Sequence, residues 1–208
     1  MNRTALIALT LGLISLCPGR SAEAEFIVNG NFEAPVITNP SYSIFKTIPG
    51  WTSTTGAGIE IQNHIAGAPI EGDQFVELDS DNNSNMFQDI ATTVGQSYHL
   101  SFYYSPRPGI SAASNGIKVF WGGSEVTELT GVGQASTDWS LHNFDLTATQ
   151  GVTRLEFLAT GTSDSLGGYL DVVSLNAVPE PSSMALCGLA GIGGLGYSWV
   201  RRKRSSIA

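Results

Sequence analysis

Apolar residues recur at every second position in several short runs, and that period limits what this chain can fold into. Tyr98, Leu100, Phe102 and Tyr104 alternate with His99, Ser101 and Tyr103. Ile117, Val119 and Trp121 alternate with Lys118 and Phe120, Phe144 and Leu146 with Asn143 and Asp145, and Leu155 and Phe157 with Arg154 and Glu156. A period of two sends successive side chains to opposite faces of a strand. The first set in each run is therefore the expected core, and the second the outward face. Strands are expected at Phe26–Val28, Gly58–Gln62, Gln74–Leu78, Ser84–Ala91, Ser97–Tyr104, Ile117–Trp121, Leu141–Leu146, Thr153–Ala159 and Gly168–Leu175. Turn pairs such as Asn29-Gly30, Pro49-Gly50, Asn82-Asn83, Asn115-Gly116 and Gly122-Gly123 separate them. Eight or nine such strands without an internal repeat predict an all-β sandwich or jelly roll.

Both ends differ in texture from this body. Arg3 precedes an apolar run from Ala5 to Leu16, and Ala22-Glu23-Ala24 follows. That order is a secretory signal peptide over residues 1–24, cut by signal peptidase before Glu25. Leu16 is too large for the position before a lipidated Cys17. At the other end Pro179-Glu180-Pro181 leads into an apolar stretch from Met184 to Val200, then Arg201, Arg202, Lys203 and Arg204. At a rise of about 1.5 Å per residue this stretch, with its flanks, matches a hydrocarbon core of about 30 Å. The basic cluster would stay in the cytoplasm and leave the body outside. A plain tail anchor accounts for the last two parts alone.

The three parts in order resemble the PEP-CTERM sorting signal, over residues 179–204. That resemblance implies an exosortase-type membrane protease as partner. It also implies export across the inner membrane, transient single-pass anchoring, and release to the cell surface or medium. Pro179, Glu180 and Pro181, with Arg201 to Arg204, would be recognition elements with no chemistry of their own.

Between these segments lies enough chain for one domain, residues 25–178. Cys17 and Cys187 both fall outside it, so no disulfide holds it. It carries four basic residues, Lys46, Arg107, Lys118 and Arg154, against sixteen acidic ones. Such a body repels nucleic acid and anionic headgroups, tolerates neutral polysaccharide and attracts divalent cations.

Several segments of the body, taken in order, resemble the galactose-binding-like jelly rolls and their DUF642-like and carbohydrate-binding-module relatives. They are Phe26-Ile27-Val28-Asn29-Gly30-Asn31-Phe32-Glu33, Ile48-Pro49-Gly50-Trp51, Gly72-Asp73-Gln74-Phe75-Val76-Glu77-Leu78 and Tyr169-Leu170-Asp171-Val172-Val173-Ser174-Leu175. The resemblance implies a structural calcium ion where the first and last strands meet, with Glu33 and Asp171 at the matching positions and Asn31 and Glu71 as helpers. The competing expectation has Glu33 capping a turn and Asp171 facing solvent. Trp51 and Trp139 match positions given to packing. The acidic run from Asp79 to Asn85 opens like a calcium loop but has Ser84 where glycine is required and Ile90 where a bidentate glutamate is required. It reads as a polar hairpin loop.

A sugar-binding platform is assembled from the outward set: Tyr103 and Phe120 as stacking rings, with His99, Asn143 and Glu156 as hydrogen-bonding groups at their edge. It requires the two ring-bearing strands to be neighbours. His64, His99 and His142 lie in separate segments without metal-ligand spacing, and no nucleophile or zinc motif is present. The expected function is that of an exported, non-catalytic surface or secreted protein that binds extracellular polysaccharide. The alternatives are a structural matrix or adhesion protein without a small ligand and, third, a carbohydrate-active enzyme.

Overall fold

The period-two runs pair into two antiparallel six-stranded sheets. The computed structural model describes residues 25–179. Its strands are β1 (Ser41–Phe45), β2 (Thr47–Ile48), β3 (Trp51–Thr52), β4 (Ile59–Asn63), β5 (Phe75–Glu77), β6 (Asn85–Ala91), β7 (Ser97–Ser105), β8 (Gly116–Trp121), β9 (Ser124–Leu129), β10 (Ser140–Thr147), β11 (Val152–Thr160) and β12 (Tyr169–Ala177). Sheet A runs β1-β4-β5-β12-β7-β10, and sheet B runs β2-β3-β6-β11-β8-β9. The described residues contain no helix, and so none that could cross a membrane. The signal peptide, Glu180, Pro181, the apolar tail and Arg201 to Arg204 lie outside the described residues.

The core forms where the apolar sets of both sheets meet. Leu100 and Phe102 of β7, Val119 of β8 and Leu155 and Phe157 of β11 are fully buried, as the alternation predicts. A chain of aromatic contacts crosses between the sheets. Phe32 meets Trp51 at 5.8 Å, Trp51 meets Phe157 at 6.0 Å, and Phe157 meets Phe102 edge-on at 5.2 Å. Such pairs add to the area they bury, and truncating one ring to alanine costs about 3–5 kcal/mol.

Two parts of the strand reading need correction. Residues 26–28 are not a strand; Phe26 N–H donates a single bond to Leu175 O at 3.2 Å and the chain then turns away at Asn29 (φ 57°). Strands β1, β2, β3 and β9 were not expected. β2 and β3 are two residues each around the Pro49-Gly50 turn, too short to show a period. β9 is an edge strand, and its acids are held across the ladder by Lys118, which reaches Glu125 at 2.9 Å and Glu128 at 3.7 Å. The glycines at 122 and 123, with φ of 57° and 85°, make the tight two-residue hairpin between β8 and β9.

Candidate functional site

The two sheets differ on their outer faces. On β4 every residue is buried, so the face away from the core is covered as well. Ile59 and Ile61 face the core, while Glu60 and Gln62 face outward under a second layer. The register sets Glu60 opposite Glu77 of β5, and Glu77 opposite Tyr169 of β12. The segment 64–73 passes over this face and is tied down by side chains beneath it. Tyr169 Oη donates to Ala66 O at 3.2 Å, and Trp139 Nε1 donates to Ala68 O at 2.9 Å. Phe75, Tyr169 and Trp139 pack into a small apolar cluster below the segment, with Phe75 and Tyr169 at 4.6 Å.

Beside that cluster a cleft of about 330 Å³ remains open, floored by Glu60 and Gln62 and bordered by Tyr42, Asp81, Arg107 and Ser165. Gln62 Nε2 donates to Glu60 Oε1 at 2.8 Å and to Glu77 Oε2 at 2.5 Å. One amide nitrogen thus joins the two carboxyl groups. Arg107 Nη1 donates to the same Glu77 oxygen, and Gly167 N–H donates to the other at 2.6 Å. Arg107 is itself placed by Asn115, whose Oδ1 accepts the Arg107 N–H at 3.0 Å and whose amide nitrogen anchors the carbonyls of Ile110, Ser111 and Gly131.

Burial pushes Glu77 up to about 9, against the pull of Arg107 and with the charge of Glu60 adding to it. Burial also raises Glu60, opposed by its bond from Gln62 and by Arg107. At about 9, Glu77 keeps its proton at neutral pH. Gln62 is 1% exposed, and its Oε1 has no hydrogen-bond partner. The Tyr169 hydroxyl gives its proton to Ala66 O and also lies in hydrogen-bonding reach of the Gln62 amide. A buried acceptor left in this way costs about 1–3 kcal/mol.

The expected platform of Tyr103, Phe120, His99, Asn143 and Glu156 is not assembled. Tyr103 and Phe120 do turn away from the core, but β7 is in sheet A and β8 in sheet B, so the rings lie on opposite outer faces. His99 meets Asn143 at 3.2 Å and Asp145 at 2.8 Å on sheet A. Glu156 is in sheet B, next to Phe120, and accepts a bond from Asn85 at 2.7 Å. Alternation along a strand says which way a residue faces, and pairing between strands depends on contacts distant in sequence. The cleft residues were missed for the same reason, although a mid-strand glutamate in Phe75-Val76-Glu77 and the scarce Arg107 were signals.

The residues expected to hold calcium lie around one corner of the sandwich. Asp171 is fully buried, contrary to the solvent-facing alternative. Its Oδ2 accepts from Ile70 N–H at 3.1 Å and Glu71 N–H at 3.4 Å, and its Oδ1 from Val172 N–H at 2.8 Å. Glu33 Oε1 accepts from Asp73 N–H at 2.8 Å and Gln74 N–H at 3.0 Å. Burial pushes Asp171 up to about 7, opposed by those backbone bonds, and the Glu33 charge adds to the rise. Asn31 and Glu71 line an adjoining groove with Val172. The backbone here is strained: Phe32 at φ 56° and the β-branched Val172 at φ 50° are both left-handed. A Cβ on Gly30 would lie 1.9 Å from Val173 O. These carboxylate oxygens are taken by backbone N–H groups, and the described residues contain no group of three or more His, Cys, Asp or Glu side chains placed to hold a metal ion.

The Asp79 loop behaves as a polar hairpin with one buried anchor. Asp79 is fully buried, accepts from Ser163 Oγ at 3.2 Å and Asp164 N–H at 2.9 Å, and pairs with Asn83.

No family model matches the chain. It is 35% identical over 164 residues to a segment of the multifunctional-autoprocessing repeats-in-toxin of Vibrio cholerae serotype O1. The match takes in 77% of this chain, which spans about 3% of the length of the curated relatives it matches. Among solved structures, a Stig cyclase of Fischerella sp. TAU superposes with a TM-score of 0.55 at 14% identity, over 76% of this chain and 99% of that one. The K1 cleaved adhesin domain of Lys-gingipain from Porphyromonas gingivalis W83 superposes at 0.52 with 17% identity, over 67% and 98%. At these identities the likeness is one of fold: the chain is a two-sheet β-sandwich of the kind those proteins share.

Proposed function

We propose that residues 25–178 form an exported, non-catalytic binding module that takes extracellular polysaccharide in the cleft on sheet A. The observation that carries this reading is an open cleft with polar side chains at its floor and a half-exposed aromatic ring, Tyr42, at the rim. A ring plane for a pyranose face and a few directional polar groups are what saccharide recognition needs. The kinship with a segment of a large toxin supports a modular, exported setting. A glycan array probed with the chain, followed by titration of Tyr42→Ala and Gln62→Leu against any glycan that binds, tests it. Both variants should lose at least about tenfold in affinity, the size of one lost hydrogen bond or stacking contact. Binding that survives both, or the absence of any glycan ligand, would leave the matrix or adhesion reading in its place.

The route to the surface rests on sequence. Signal peptidase would remove residues 1–24. An exosortase-type protease would cut near Pro179-Glu180-Pro181, ahead of the apolar stretch and Arg201 to Arg204. Mass spectrometry of the mature protein from its native host should then find no peptide beyond about residue 183. An intact C-terminus on mature surface protein overturns the sorting reading.

The resemblance alone assigns the corner of Glu33, Asp171, Asn31 and Glu71 to a structural calcium ion. Its work would be to neutralise the Asp171 and Glu33 carboxylates and hold the strained turn at 29–33 against the bulge in β12.

A further inference from the structure

Arg107 lines the cleft with one part of its guanidinium spent and one edge open. Nη1 donates to Glu77 and, at 3.4 Å, to Ser165 O, while the Nε and Nη2 N–H groups make no hydrogen bond among the described residues. The group is held from several sides. Asn115 Oδ1 accepts the backbone N–H, the guanidinium lies over the Tyr169 ring at 6.0 Å, and 18% of the side chain stays exposed. A guanidinium is planar, so Nε–H and one Nη2–H point the same way and offer two parallel donors at a fixed spacing. Asp81 lines the same cleft at its mouth, exposed and without a side-chain hydrogen bond among the described residues. Its carboxylate accepts and does not donate. A fixed pair of donors and an open acceptor thus border one space.

We infer that the cleft selects a neutral sugar with two adjacent free hydroxyls, a vicinal diol, and that Arg107 and Asp81 read the pair together. The inference rests on the proposed saccharide-binding role of the cleft and names the class of ligand within it. A hydroxyl both donates and accepts. Two neighbouring hydroxyl oxygens accept from the Nε–H and Nη2–H of Arg107, and one of the two donates its own O–H to Asp81. Each rival group satisfies half of the site. A uronate carboxylate fits the donor pair but sets a further negative charge beside Asp81. Glu60 at the floor already feels Asp79 and Asp81 as like charges and Arg107 as the one opposite charge. An ammonium gives to Asp81 and meets the guanidinium charge against charge. An N-acetyl group in place of one hydroxyl turns an acceptor oxygen into an N–H, which faces the Arg107 edge donor to donor. Hydrogen bonds to ionised partners are the strong ones, and the diol makes them with both residues. The open edge is fixed before the sugar arrives, so little order is lost on binding.

The test is calorimetric titration of the full chain with cellotriose and three relatives of equal length, all blocked by methyl groups at both ends so that each ring offers one adjacent hydroxyl pair. In two relatives an N-acetyl group or an ammonium replaces one hydroxyl of that pair, and in the third every ring is oxidised to its uronate. Cellotriose should bind tightest and the others at least about tenfold weaker, the size of one lost charged hydrogen bond. Arg107→Lys, which keeps the charge and loses the planar edge, should remove the preference over the N-acetylated trimer. Should Arg107→Lys fail to fold, Asp81→Asn, exposed at the mouth, carries the test. It should narrow the lead of cellotriose over the uronate, because the charge that excludes the acid is gone. Glu125→Gln, on the outer face of sheet B, should leave the order unchanged, which separates a cleft site from the general charge of the surface. Tightest binding of a charged or N-acetylated trimer, or equal binding of all four, overturns the diol inference. It keeps the cleft as a sugar site when Tyr42→Ala loses the binding, and overturns both readings when Tyr42→Ala does not. A lead that falls equally in Glu125→Gln also overturns the inference. Should none of the four bind, a glycan array decides. Bound glycans that are neutral and carry a free vicinal diol uphold the inference, charged or diol-free ones overturn it, and the absence of any bound glycan overturns both readings.

Discussion

The outer faces of the two sheets are built from the same alternation and end in opposite environments. On sheet B the outward residues meet water. Arg154 forks onto Asp89 at 2.7 and 2.8 Å and lies over the Phe87 ring at 3.5 Å, and Lys118 pairs with Glu125 and Glu128. On sheet A the outward residues of β4, β5 and β12 are roofed by the segment 64–73, and Arg107 pairs with a Glu77 that has no exposure. An arginine–glutamate or arginine–aspartate pair thus occurs on both faces, solvated on one and desolvated on the other. Ion pairs in water contribute little, while a buried charge depends on its partner. The solvated face is surface, and the roofed face is where strain, unpaired acceptors and shifted protons collect.

Arg107→Met should sharpen this difference most. Where Glu77 is ionised, the change strands its carboxylate in a dry site and should cost about 3–5 kcal/mol, read as a shift in the denaturant midpoint. The loss should grow from pH 5 to pH 9, because a protonated Glu77 needs no partner. A loss below about 1 kcal/mol at pH 9 would mean that the cleft floor is wetter than its burial indicates.

Calcium at the Asp171 corner comes next in size. A cation that binds only the folded state adds about 2.7 kcal/mol at a hundred times its dissociation constant. Calcium should raise the melting temperature of the wild type and leave Asp171→Ala nearly unmoved. An unchanged melt in chelator, with no metal found by elemental analysis, removes the ion from the account.

Without calcium, stability should fall as pH rises. Asp171, held near 7, and Glu77, held near 9, keep protons in the folded state that the unfolded chain releases near pH 4. Groups raised in this way contribute fully below their unfolded values, and the contribution is lost as pH passes through 7 and then 9. Melting temperatures at pH 5, 7 and 9 in chelator should descend in that order, and calcium should flatten the first step. A rise between pH 5 and 9 contradicts the burial of both groups. The smallest effect is expected for Arg154→Met. Its pair is nearly half exposed, and the change should cost about 0.2–1 kcal/mol and weaken further with salt.

The sequence by itself determined the class of fold and the direction of most side chains. Strict alternation from 97 to 104, 117 to 121 and 153 to 159 marks buried and outward sets because the pleat has a period of two, and Leu100, Phe102, Val119 and Phe157 are buried accordingly. Tight turns such as Gly122-Gly123 are equally local, since a left-handed backbone there demands glycine. The tertiary structure alone decided which strands are neighbours. That choice parted Tyr103 from Phe120 and brought Glu60, Gln62 and Glu77 together with Arg107, over separations of up to 47 residues along the chain. It also decided which outward face is roofed. The roof is irregular chain without a period of its own, held by single bonds such as those from Tyr169 and Trp139. No run of neighbouring residues records that the glutamates beneath it are dry.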